Sequence, residues 1–183
     1  MTPSLYHQAN DSGKLQDVQM NHIGYLQFSP SKTSLGTSGL DGCSYVVILS
    51  SKVAILGHFV PKPHDTFPTP PNSTSGEAFL LHKMNDVRNL FNQHKNNFKK
   101  DDNTKGLVAF AVLGTEDFSE HLRELIVTHL KEWQIPYSSI AYSMLPGNND
   151  RPSGQGSVLV QPSDTGVANG VYDFRGKFAG IGC

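Results

Sequence analysis

Two short apolar runs, Tyr45 to Leu49 and Val53 to Val60, stand on either side of Ser50, Ser51 and Lys52. Runs of this length, rich in Val and Ile and parted by a small polar turn, read as a buried β-hairpin, and a buried hairpin obliges the rest of the chain to cover it. The chain has 183 residues and is 37 % hydrophobic, roughly 46 % apolar once its 17 glycines are added, which is ordinary globular composition. That length suits one domain with a single core.

The same numbers exclude several classes. Lys and Arg total 15 against 16 Asp and Glu, a net charge of −1, so there is no positive excess to track a phosphate backbone and nucleic acid is not an expected partner. The longest mainly apolar stretch, Tyr45 to Pro61, is interrupted by Ser50, Ser51, Lys52 and His58. It falls short of the roughly 20 apolar residues of a membrane helix, and a soluble protein with no membrane partner is expected. Met1 to Leu15 is polar and has no apolar core of a secretory signal, which makes a reducing, cytoplasmic compartment the default and leaves open non-classical export or delivery into a host cell. Two cysteines, Cys43 and the terminal Cys183, are too few for a disulfide framework.

Along the chain, residues 1–16 lack any period and read as a flexible arm, and residues 17–183 as the single domain. Val18 to Phe28 alternates imperfectly, as a strand kinked near Gly24, and residues 29–42 read as a structured loop rich in Ser, Thr and Gly. After a proline-rich segment, Thr74 and Glu77 form a capping box for a helix reaching about Lys100, with Leu80, Met84, Val87, Phe91 and Phe98 on its inner face. Leu107 to Leu113 is a strand. Asp117 and Glu120 cap a second helix, stopped by Pro136. Residues 137–145, 157–161, 166–174 and 177–181 are further strands, with a long loop over 146–156. The tally of about seven strands and two main helices predicts an α+β fold, a layered, β-sandwich-like mixed sheet flanked by the helices.

The chemistry-bearing stretch runs from Gly36 to Pro61. A Gly-Leu-Asp-Gly turn delivers Cys43 to the start of the first hairpin strand, and the return strand delivers His58. As antiparallel partners near one end of the ladder they form a minimal thiol nucleophile, since an imidazole can take the thiol proton. Gly42 leaves room for a substrate carbonyl to reach the backbone N–H groups that would hold an oxyanion. The competing structural reading is a small buried cysteine and a satisfied strand-end histidine.

This stretch resembles the active-site signature of the chemotaxis receptor glutamine deamidases (CheD) and the cytotoxic-necrotizing-factor toxins. Thr37 stands six positions before Cys43, the turn is Leu40-Asp41-Gly42-Cys43, and His58 lies in Gly57-His58-Phe59-Val60-Pro61. The likeness covers about 25 residues and departs from the toxins at Asp41, where they often carry Ser. It implies a deamidase-toxin-like fold and a thioester mechanism acting on glutamine side chains of a protein substrate. Cys43 would be the nucleophile, His58 the base and then the acid, and Thr37 the residue orienting His58. Leu40, Gly42 and Ser44 would be the substrate-binding positions. Thr33, Ser34 and Ser38 lie close enough to compete with Thr37 for its role. The resemblance implies no cofactor, a character of toxin or effector, and loops 62–76 and 146–156 as the rims that select the partner. Transglutamination, or hydrolysis of a small-molecule amide, would use the same site.

Other candidates are weaker. His58, His64 and Asp65 are separated by Pro61 and Pro63, which hold the chain extended and spoil any metal-ligand spacing. His121 and His129, eight apart on one helix, read as a solvated face. The alternative to an enzyme is a non-catalytic partner-binding domain on the same fold, and the presence of both Cys43 and His58 counts against it.

Overall fold

The computed structural model describes residues 4–40, 42–61, 75–99, 103–113, 116–117, 120–143, 156–162 and 169–172. The elements follow in chain order. They are α1 (Leu5–Asp11), β1 (Leu15–Asp17), β2 (Ile23–Gln27), β3 (Ser34–Thr37), β4 (Ser44–Leu49), β5 (Val53–Phe59), α2 (Ser75–Gln93), β6 (Lys105–Leu113), β7 (Glu116–Asp117), α3 (Glu120–Glu132), β8 (Tyr137–Ser143), β9 (Val158–Gln161) and β10 (Asn169–Tyr172). The protein is α+β, with two sheets.

The β4–β5 hairpin is the centre of the larger sheet, whose order is β2-β5-β4-β6-β7 with β8 paired to β6. Its turn is held by Ser50, whose hydroxyl accepts from the N–H groups of Lys52 and Val53 at 3.2 Å each, a local bond that small polar residues favour in turns. Every residue of both strands is buried. Strands without a polar face need cover on both sides. On one side Val46, Ile48, Val53 and Ile55 pack with Leu80, Met84 and Val87 of α2 and Ile126 and Leu130 of α3. The helical period of those positions is what turns the two helices toward the sheet. α3 also supplies the long connection that a parallel pair such as β6 and β8 requires.

The other side carries Tyr45, Val47, Ala54 and Leu56, packed with Leu35, Val158 and Val160. These last residues belong to the smaller sheet, β1-β3-β9-β10, in which β1 and β3 run parallel and the rest antiparallel. Gly36 lets β3 approach β9 closely, since a Cβ there would come within 2.7 Å of the Val158 carbonyl oxygen. Outside this sheet lies α1, with Tyr6 and Ala9 against Leu15 and Leu159. The layers therefore run from the α2–α3 pair through the larger and smaller sheets to α1.

Four expectations need correction. Within the expected arm, residues 4–16 are not free. Ser4 caps α1 by accepting from the His7 N–H, and Leu15 and Gln16 begin β1. The strand expected over 18–28 shortens to β2, because Val18 instead donates its N–H to the Gly36 carbonyl and the chain turns before Ile23. The expected loop 29–42 contains β3, a strand of mostly small residues stabilised by its neighbours rather than by its own propensity. Asp117 lies in β7, and α3 begins at Glu120. Thr74, His64, Asp65, Cys183, the strand expected at 177–181 and nearly all of the two rim loops lie outside the described residues. Among the described residues no helix is long and apolar enough to cross a membrane.

Leu56 is fully buried between the two sheets. Leu56→Ala is expected to cost about 2–5 kcal/mol of unfolding free energy, read by urea denaturation. A loss below about 1 kcal/mol would mean that the sheets do not close on one another there.

Candidate active site

The two sheets meet at a pair of buried polar side chains. Thr37 ends β3 in the smaller sheet and His58 lies near the end of β5 in the larger one. Each is 1 % exposed. The Thr37 hydroxyl donates to the Val18 carbonyl at 2.6 Å and lies 2.7 Å from Nδ1 of His58. A hydroxyl has one hydrogen, and Val18 takes it. Nδ1 must therefore be the donor in the second bond, which leaves the lone pair of the neutral ring on Nε2. The histidine backbone is held as firmly, with its N–H on the His22 carbonyl and its own carbonyl accepting from Asn21.

Burial pushes His58 down from the ordinary 6.5 to about 4, and the Asp17 carboxylate acts in the opposite direction. The imidazole is thus neutral near pH 7, the form that can accept a proton. Nε2 is buried and has no hydrogen-bond partner among the described residues. A buried acceptor left open is uncommon in structural histidines, because its desolvation is not recovered.

Cys43 immediately precedes β4 and is 3 % exposed. The register corrects the expected pairing. His58 stands opposite Tyr45 rather than Cys43, which lies two residues before Tyr45. Side chains two apart share a face of the strand, so Cys43 and His58 lie on the same side of the sheet as diagonal neighbours, a relation that spans about 7–8 Å between Cα atoms. Since Nε2 has no hydrogen-bond partner, the resting thiol does not donate to it. Gly42 has φ +83°, in the left-handed region that glycine enters without strain. The Cys43 carbonyl accepts from the Tyr142 hydroxyl at 2.5 Å, which ties the Cys43 backbone to β8.

Leu40 and Ser44 are placed less favourably for substrate binding. The Leu40 side chain is in the core between the sheets and its N–H is bonded to the Gly156 carbonyl. Ser44 is 2 % exposed and, one residue along the strand, points away from the Cys43 face. Of the rivals to Thr37, Ser34 accepts from Gln161 and Thr33 lies beside Ser34, whereas Ser38 lines a pocket. His121 faces Glu77 of α2 at 3.5 Å, and Nδ1 of His129 bonds the Leu125 carbonyl on its own helix.

That pocket, of about 240 Å³, opens at His58 between Asp17, Val18, Gln19 and Met20 on one side and Ser38 and Gly39 on the other. Of these wall residues the sequence singles out only His58, and Ser38 as a rival to Thr37. The one available signal was the nearness of Ser38 to Thr37. The Val18 carbonyl, a backbone group, leaves no signature in a sequence. The chain matches no known family model and no curated protein sequence.

The folded state holds His58 neutral, below its unfolded value, so between about pH 6.5 and about pH 4 the unfolded chain binds the extra proton and stability falls as pH falls. Wild type is expected to lose up to about 3 kcal/mol more than His58→Gln between neutral pH and about pH 4, measured by urea unfolding at each pH. Equal losses would show that the ring titrates at its ordinary value.

Proposed function

We propose that this protein is a cysteine-dependent amidohydrolase that deamidates glutamine side chains, as the resemblance of residues 37–61 to the CheD and cytotoxic-necrotizing-factor deamidases implies. The observation that carries the reading is the Thr37–His58 bond. It presents an unpartnered, lone-pair-bearing Nε2 on the sheet face that also bears Cys43. Ordinary packing does not require that arrangement.

In the first half-reaction Nε2 takes the Cys43 proton as the sulfur attacks the carboxamide carbon, forming the C–S bond and a tetrahedral oxyanion. Collapse breaks the C–N bond, and His58 returns its proton to the leaving nitrogen, releasing ammonia and leaving a thioester. In the second half Nε2 takes a proton from water and hydroxide adds to the thioester carbon; the C–S bond then breaks, His58 returns its proton to the sulfur, and the carboxylic acid so formed releases its remaining proton to solvent as the carboxylate. Backbone N–H groups at the Gly42–Cys43 turn are the natural oxyanion donors. Thr37 keeps Nδ1 protonated throughout, so that the lone pair stays on Nε2. A neutral hydroxyl stabilises imidazolium less than a carboxylate does, which a thiol tolerates better than a serine hydroxyl would. Burial keeps the ring neutral, the form that can take the thiol proton as the sulfur attacks.

The second reading, a partner-binding domain without catalysis, draws on the deep burial of Cys43. Iodoacetamide separates the two. Alkylation of Cys43 at about pH 6.5 is expected to exceed that of free cysteine and to lose its advantage in His58→Ala, read by intact mass. Equal rates in the two proteins favour the binding domain.

Ammonia release from glutamine-containing peptides is expected to fall about 10³-fold or more in Cys43→Ser. Thr37→Ala should lose about 10-fold to 10²-fold, with Thr37→Ser recovering most of it, since the hydroxyl orients the base without joining the bond making. Wild-type turnover in Cys43→Ser would exclude the thioester route.

A further inference from the structure

We infer that the pocket at His58 is a cation-selecting mouth, in which Asp17 favours target side chains that have a lysine or arginine beside the carboxamide. The inference rests on the amidohydrolase reading for its substrate and on the pocket itself for its charge preference.

Three observations carry it. First, the pocket is small. At about 240 Å³ it lies below the range of about 300–1,000 Å³ found for drug-sized ligands, and it suits a single side chain entering from a polypeptide. Second, its inner wall is polar, because it is lined by His58, which is 1 % exposed and whose buried Nε2 has no hydrogen-bond partner. Third, Asp17 is the one charged group among the described wall residues, which are otherwise Val, Gln, Met, Ser and Gly apart from His58. No lysine or arginine is among the described wall residues.

The carboxylate is also held in place. The Tyr6 hydroxyl donates to it at 2.6 Å and the Gln19 amide donates to its other oxygen. Burial and this bond push Tyr6 up to about 12, so the phenol remains a donor over the working pH range. Tyr6 itself is a buried residue of α1. A carboxylate with two neutral donors keeps its full negative charge and still has lone pairs free for an ammonium or guanidinium. Its field reaches the bottom of the pocket, since Asp17 opposes the burial-driven fall of His58. A cation next to the target carboxamide would gain that attraction at the mouth while the carboxamide reaches the base, and an acidic neighbour would be repelled.

The test uses charged thiol reagents on the full chain in a Cys183→Ser background, so that only Cys43 reports. The rate of modification by the cationic 2-aminoethyl methanethiosulfonate, divided by that of the anionic 2-sulfonatoethyl reagent and referred to the same ratio for free cysteine, is expected to be about 10 in wild type. It should fall to about 1 in Asp17→Asn, stay near the wild-type value in Asp17→Glu, and shrink as salt is raised. An unchanged ratio in Asp17→Asn, or no modification of Cys43 by either reagent, overturns the inference. A parallel arm measures ammonia from glutamine peptides with Lys or Glu beside the glutamine. Equal release from both peptides overturns the inference and upholds the hydrolase. No release from either, with the reagent preference intact, overturns the hydrolase and upholds the acidic mouth.

Discussion

The β4–β5 hairpin is apolar on both faces, so it is stable only between two covering layers, and the remaining elements are arranged to supply them. α2 and α3 cover one face through a helical stripe of Leu, Met, Val and Ile. The small sheet covers the other. The polar groups at the seam between the sheets are then removed from water and must satisfy one another. Thr37 and the Val18 carbonyl do so, and Nδ1 of His58 joins them. The same closure that stabilises the hairpin thereby selects the tautomer of the histidine.

That dependence gives the site its electrostatic character. In a solvated position the imidazole would be partly protonated near neutral pH, and its orientation would be free. Buried at the seam it is neutral and fixed, with the lone pair on the atom that has no partner. A threonine hydroxyl completes the arrangement without adding a charge to the interior, where a carboxylate would be costly to bury. The negative charge lies instead at the pocket mouth on Asp17, solvated and bonded by Tyr6, close enough to act on the ring through space.

The parts of this arrangement that could be read from the sequence are those built on local signals. The hairpin, its Ser50 turn, the two long helices and the strands β6, β8 and β9 follow from the spacing of apolar residues, which encodes which face is buried. α1, β1 and β3 were not legible. α1 is only seven residues long, and β1 and β3 are short and largely made of small or polar side chains, so their stability comes from Leu159, Val158 and Val160, more than a hundred positions later. The Cys43–His58 register was misjudged by two residues for a related reason. The turn begins at Ser50, and the exact ladder depends on the Ser50 bonds as well as on loop length.

The sequence by itself determined the α+β class, the covered hairpin, and a cysteine and a histidine brought to the same end and the same face of one sheet. Residue type and alternation suffice for those, because they are properties of contiguous chain. Only the tertiary structure decided that Thr37 rather than Ser34 meets the histidine, that Val18 takes the hydroxyl hydrogen, and that Asp17, Gln19 and Ser38 wall the pocket. The Thr37–Val18 bond joins groups 19 residues apart, and the Thr37–His58 bond joins groups 21 apart on two different sheets. Their distances are set by how the layers pack, and no local pattern of residues encodes that separation.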